Sequence, residues 1–136
     1  MTTAVDSSAI LDILKNDPVR ATSSLAALRA AAALGPLIVC PIVWAELRGG
    51  FADPALMELA LANALITFDP FDRGCADIAG MQWYEYRQQG GSRTRLIADF
   101  FIGAHAQCRG GGRLITRDRG FYRRYFSELN IIDGSE

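Results

Sequence analysis

Short apolar runs alternate along the chain with longer stretches that carry helix signals. Three runs read as buried parallel strands: Ala4–Val5, Leu37–Cys40 and Leu114–Thr116. Leu65–Thr67 and Ile131–Ile132 read as weaker strands at sheet edges. Ser7 or Ser8 caps a short helix through Leu14. Asp17-Pro18, a cap followed by proline at the first helical position, opens a helix to about Leu34, and Gly35-Pro36 stops it. A short helix follows Pro41 and ends at Gly49-Gly50, and Asp53-Pro54 opens another to about Asn63. Asp72 to Gln89 is a longer helix that ends at Gly90-Gly91. Thr94 caps a helix from Arg95 to Arg109, which Gly110-Gly111-Gly112 ends, and a last helix lies near Phe121–Leu129.

Strands alternating with helices predict an α/β fold with a parallel sheet covered on both faces. At 136 residues the chain is sized for one domain, expected to span 1–136. Half of its residues are hydrophobic and 21% are charged, a globular composition. Its longest uncharged stretch, Ala30 to Ala45, is interrupted by Gly35, Pro36 and Pro41 and is too short for a membrane span. No basic residue precedes Lys15, so a secretory signal is not expected. Cys40, Cys75 and Cys108 are widely spaced and odd in number. They predict reduced thiols in a cytoplasmic protein rather than a disulfide framework or a zinc site.

The net charge of −1 hides an asymmetry. Residues 1–86 carry ten acids against Lys15 and four arginines. From Arg87 to Arg124 lie nine arginines and only two acids, Asp99 and Asp118. Arginine forks onto phosphate oxygens and stacks on bases, so this third of the chain suits nucleic-acid contacts. A solvated helix face would give the same pattern.

Four acids stand out by their surroundings. Asp6 follows the first strand, and Asp118 lies just past Leu114–Thr116. In such folds function gathers beyond the carboxyl ends of the strands, so topology delivers both to one rim. Glu46 is the sole charge in Cys40–Leu47 and Asp99 the sole charge in Leu96–Ala104. A carboxylate on an apolar helix is costly to bury and needs a partner, and a shared metal ion would satisfy several at once. Singly, Asp6 would serve as a helix cap, Glu46 as a water-facing residue, Asp99 as a first-turn acid and Asp118 as a turn residue. Their joint occurrence favours a common site.

The stretches Val5-Asp6-Ser7-Ser8, Pro41–Leu47, Leu96–Ala106 and Leu114–Tyr122 resemble the PIN-domain nucleases, within them the VapC-type toxins of toxin–antitoxin pairs. The resemblance implies a three-layer α/β domain with a central, mostly parallel sheet of about five strands flanked by helices. It implies that Asp6, Glu46, Asp99 and Asp118 hold one or two Mg²⁺ or Mn²⁺ ions and are catalytic. Ser8 and Thr116 would support these ligands with their hydroxyls, and Arg117 and Arg119 would contact substrate phosphates. The activity implied is metal-dependent endoribonuclease cleavage of RNA phosphodiester bonds. The partners implied are RNA, a VapB-type antitoxin and a second copy in a homodimer. A PIN-type module that binds RNA or a partner without cutting is the alternative. A metal-dependent phosphatase is a further one, weakened by Ser8 standing where an aspartyl-phosphate enzyme would place a second Asp.

Other residues read as structural. His105, six positions after Asp99, falls about 120° around the helix and should pack rather than join the acids. Gly110-Gly111-Gly112 follows a helix and precedes a strand, the wrong order for a phosphate loop. Gly103 serves either the site or helix packing. Trp83, Tyr84, Tyr86, Phe121, Tyr122, Tyr125 and Phe126 read mainly as core or subunit packing.

Overall fold

A computed structural model describes residues 1–92 and 97–133. The strands are β1 (Thr3–Val5), β2 (Leu37–Val39), β3 (Ile66–Phe68), β4 (Arg113–Ile115) and β5 (Asn130–Ile132). The helices are α1 (Ser7–Leu14), α2 (Ala21–Leu34), α3 (Pro41–Arg48), α4 (Pro54–Asn63), α5 (Arg73–Gln88), α6 (Ile97–Cys108) and α7 (Arg119–Tyr125). All strand pairs are parallel, in the order β3-β2-β1-β4-β5. The two weakest sequence signals form the two edges. Edge strands need cover on fewer sides, which explains their short, less apolar runs.

Successive side chains of a strand face opposite sides of the sheet. Every residue of β1 and β2 is buried, so helices cover both faces there. The chain builds outward from β1 to β2 and β3. It then crosses back through α5 and α6 to place β4 on the other side of β1. The direction of strand addition reverses between β1 and β4, and that reversal positions the site.

Local signals fixed most helix ends. Asp53 Oδ1 accepts from Ala55 N at 2.9 Å and Asp72 Oδ1 from Cys75 N at 2.8 Å, each with its helix starting at the next residue. The Asp17-Pro18 expectation is corrected: α2 starts at Ala21. Asp17 Oδ1 accepts from both Val19 N and Arg20 N at 2.9 Å, spending the cap on a turn ahead of the helix. The last helix is also displaced, ending at Tyr125 rather than Leu129, because its N-terminal boundary lies at Asp118. The Thr94 cap, with Arg93 and Arg95, lies outside the described residues.

Two connections were not expected. Cys75 and Cys108 form a disulfide between α5 and α6, which overturns the expectation of three free thiols; only Cys40 is free. Sequence spacing could not show this pair, because antiparallel helix packing brings together residues 33 positions apart. The aromatics behave as core: Trp83 and Tyr86 of α5 and Phe121 and Tyr125 of α7 all ring Phe100 of α6 at centroid distances of 5.0–5.7 Å. Tyr84 alone of that set is strongly exposed, at 64%. Gly103 answers to packing. A Cβ there would fall within the Phe126 ring, so the missing side chain lets Phe126 close onto α6.

Candidate functional site

Asp6 is the first residue after β1 and Thr116 the first after β4. The register pairs Val5 with Ile115, and Asp6 N donates to Ile115 O at 2.9 Å. Crevices at such a reversal of strand order are where open α/β sheets collect ligand groups. Asp6 caps α1 in position but makes no side-chain capping bond, so its carboxylate is turned to other partners. Thr116 Oγ1 donates to Asp6 Oδ2 at 2.7 Å and accepts from Asp118 N at 3.0 Å. Ser8 Oγ donates to the same Oδ2 at 3.4 Å and accepts from Arg117 N at 3.2 Å. Two hydroxyls thus fasten the 116–118 loop to one buried carboxylate.

Glu46 approaches from α3, where Ser7 Oγ donates to its Oε1 at 3.2 Å. Asp99 stands in the first turn of α6, half-buried. Burial pushes the Asp6 carboxyl pKa up, and the Asp99 charge pushes the same way against the hydroxyl and amide bonds. Partial desolvation raises Glu46, with the charges of Asp6 and Asp99 adding to it. Asp6, Glu46 and Asp99 therefore share one electrostatic site. Asp118, exposed at the start of α7, is tied to it through its backbone amide.

The donor set fits a hard divalent cation: carboxylate and hydroxyl oxygens, with no arginine or lysine paired to Asp6 or Glu46 among the described residues. The nearby Cys40 thiol is pushed up to about 11, chiefly by burial, and stays protonated. The acids are spread more widely than a closed ligand cage. Among the described residues the group with ligand atoms all within 4.8 Å of one another is Asp72, Cys75 and Cys108. Its sulfurs are bonded to each other and offer no thiolate.

The two arginines expected at substrate are engaged internally. Arg117 Nε lies 2.8 Å from Asp12 Oδ2, close but off the hydrogen-bond direction. Arg119 Nε lies 2.6 Å from Asp133 Oδ2. Asp12 and Asp133 are 3% and 5% exposed, and buried carboxylates demand such partners. A phosphate would compete with both pairings. Ser7 and Asp12 escaped the sequence reading. Asp12 is the only charge in Ala9–Leu14, the same signal that singled out Glu46 and Asp99.

His105 packs away from the acids, as its spacing predicted. It is 1% exposed, with Nε2 2.9 Å from Asp69 Oδ2, which Arg109 Nε also approaches at 2.5 Å. Burial lowers the His105 pKa, while the Arg109 hydrogen bond holds Asp69 low.

No curated protein matches the chain in sequence. Its fold is similar to VapBC2 from Rickettsia felis bound to a DNA fragment from their promoter (TM-score 0.77, 19% identity, 98% of both chains covered). It is also similar to VapBC-1 from nontypeable Haemophilus influenzae (0.76, 18%, 100% of both) and to a toxin–antitoxin complex from Klebsiella pneumoniae (0.68, 19%, 99% of both). At these identities the likeness concerns the fold. The PIN domain family model matches residues 3–127, a span that holds Asp6, Glu46, Asp99 and Asp118 together with the hydroxyls of Ser7, Ser8 and Thr116, and the chain belongs to the PIN domain family.

Proposed function

We propose that this PIN domain is a metal-dependent endoribonuclease and the VapC-type toxin of a toxin–antitoxin pair. PIN domains are generally nucleases and generally use divalent metal ions. The observation that carries the reading is the buried Asp6 carboxylate. It is held by Thr116 and Ser8 at the β1–β4 crevice and shares its electrostatic environment with Glu46 and Asp99. These three acids, with Asp118, would hold Mg²⁺ or Mn²⁺. Such an ion would polarise a phosphodiester and acidify water. Thr116 and Ser8 orient Asp6, and Ser7 orients Glu46, so the acids keep their places when the crevice fills. Without metal, burial and the charges of Asp6 and Asp99 hold the Glu46 carboxyl above its ordinary value, and a bound cation would relieve that repulsion.

A VapB-type antitoxin and a second copy of the chain are the proposed protein partners. The solved structures similar in fold are toxin–antitoxin complexes. Around α4 and β3 the chain exposes Leu56, Leu59, Leu65 and Phe68, an apolar surface of the kind that partners cover. No helix among the described residues is long and apolar enough to cross a membrane.

The test is cleavage of RNA by the purified chain with Mn²⁺ or Mg²⁺. The expected result is cleavage that EDTA stops and that Asp6→Asn and Asp99→Asn each abolish. Full activity in EDTA, or in both variants, refutes the metal mechanism. Tight RNA binding without cleavage in any metal refutes the enzyme and leaves a binding module.

A further inference from the structure

We propose that Asp12 is a positioning residue: through Arg117 it fixes the 116–118 loop, and with it Thr116 and Asp118, against Asp6. The inference rests on the nuclease reading of that site. Asp12 lies near the end of α1, six residues past Asp6, and is 3% exposed. An ionised carboxylate this deep is costly unless charge and hydrogen bonds compensate it. Two groups do so, and neither is its sequence neighbour. Ser24 Oγ of α2 donates to Oδ2 at 3.2 Å, and Arg117 Nε stands 2.8 Å from the same oxygen.

Arg117 sits between Thr116 and Asp118, in the stretch joining β4 to α7. Strand pairing does not hold this stretch beyond Thr116, whose N donates to Ile132 O at 3.1 Å. Three further contacts tie it to α1 and to the Asp6 cap ahead of that helix. Thr116 Oγ1 bonds Asp6, Arg117 N bonds Ser8 Oγ, and the Arg117 side chain reaches Asp12. The first two lie at the start of α1 and the third near its end. A loop pinned at two separated points along one helix cannot pivot about either point. Freeing the Arg117 side chain removes the contact near the far end of α1 and leaves those at its start.

Asp12 is too buried to touch RNA or a metal ion in the crevice. An effect of its replacement on the crevice passes through its partners, of which Ser24 leads to α2 and Arg117 to the 116–118 loop. That separates two roles for Arg117: an internal anchor, or a phosphate contact on the substrate.

The experiment uses the full chain, a short RNA that it cuts, and Mn²⁺. Asp12→Asn keeps size and Ser24 contact but removes the charge. Arg117→Lys keeps the charge but loses Nε, and carries the same test where Asp12→Asn fails to fold. Both should lower kcat by about ten- to a hundredfold with KM little changed, the signature of a displaced catalytic group. Both should also weaken Mn²⁺ binding, read from the free-ion electron paramagnetic resonance signal. A raised KM with unchanged kcat for Arg117→Lys, and no effect of Asp12→Asn, would make Arg117 a substrate contact and overturn the proposal. If the wild type cuts no RNA, the nuclease reading fails. The Mn²⁺ titration then decides alone, and unchanged affinity in both variants overturns the positioning role.

Discussion

Replacing Thr116 with valine keeps the shape of a fully buried side chain and deletes one hydroxyl. That hydroxyl donates to Asp6 Oδ2 at 2.7 Å and accepts from Asp118 N at 3.0 Å. A hydrogen bond to a charged acceptor contributes about 1.5–3 kcal/mol, whereas one to a neutral acceptor contributes about 0.5–1.5 kcal/mol. The Asp118 amide is only part-buried, so water recovers most of its lost bond. The loss should therefore depend on the protonation of Asp6.

The sign follows from the direction of the shift. Burial raises the folded Asp6 pKa above 3.8, so the folded protein holds a proton that the unfolded chain has released. Without metal, stability from this group is greatest below 3.8 and declines as pH rises through the folded pKa. The Thr116 bond opposes that decline, because it favours the ionised form. Thr116→Val should then cost about 1.5–3 kcal/mol at pH 8 and about 0.5–1.5 kcal/mol near pH 4. For a chain of this size that is roughly 5–9 °C in Tm at the higher pH and roughly 2–4 °C at the lower. The assay is thermal unfolding in EDTA at both values, followed by a pH profile of Mn²⁺-dependent cleavage. The acidic limb of that profile should move to higher pH in the variant. Equal Tm losses at the two pH values, with an unmoved limb, would refute the claim that Thr116 steadies the ionised carboxylate.

Reducing Cys75–Cys108 opens a loop closed across 33 positions and should cost about 3–4 kcal/mol, read as a lower urea midpoint with dithiothreitol; an unchanged midpoint would show the bond absent in solution. Gly103→Ala drives a methyl group into the Phe126 ring and should cost about 1–3 kcal/mol, with Phe126→Leu recovering part of the loss in the double variant. His105 is held below 6.5 by burial and Asp69 below 3.8 by Arg109, so the unfolded chain binds protons that the folded one does not. Stability should fall as pH drops below 6.5 and again below 3.8. His105→Gln should flatten the first step in urea titrations, and an unaltered step would assign it to another group. Arg87 and Arg124 lie over Trp83 and Tyr125, free of any described ion pair, and are predicted to carry RNA phosphates. Losing both should lower the salt slope of RNA binding by about 1.4, at about 0.7 per single-strand contact, and an unchanged slope refutes the assignment.

Most of the fold was legible because it is written locally. Apolar runs of two to four residues gave all five strands within a residue, and the Asp53-Pro54 cap and the Asp72 boundary gave helix starts. The errors arose where one local signal had two outlets. Asp17 caps a turn as readily as a helix, and only the packing of α2 on α1 decides which. The acid site was legible for a related reason. A lone charge in an apolar run is a local anomaly, and strand ends converge on one rim by topology. Pairing between distant elements was not legible, since nothing in the spacing of Cys75 and Cys108, or of Asp69 and His105, says that α5, α6 and the end of β3 will meet.

The arginines show the same limit and what lies beyond it. In sequence, the excess from Arg87 to Arg124 reads as one feature fit for phosphate. The structure divides it. Arg109, Arg113, Arg117 and Arg119 are turned to Asp69, Thr3, Asp12 and Asp133, three of which lie on β-strands or immediately after them. Four cations thus hold the framework together, and two of those flank Asp118. Arginine suits this duty for the reason it suits phosphate: a planar fork with fixed donors remains charged when partly buried. The residues that brace the 116–118 loop and those free to meet a substrate are therefore one chemical type, separated only by which carboxylates the fold buries beside them. In this chain the buried acids Asp12 and Asp133, rather than the arginines themselves, determine which cations stay with the protein.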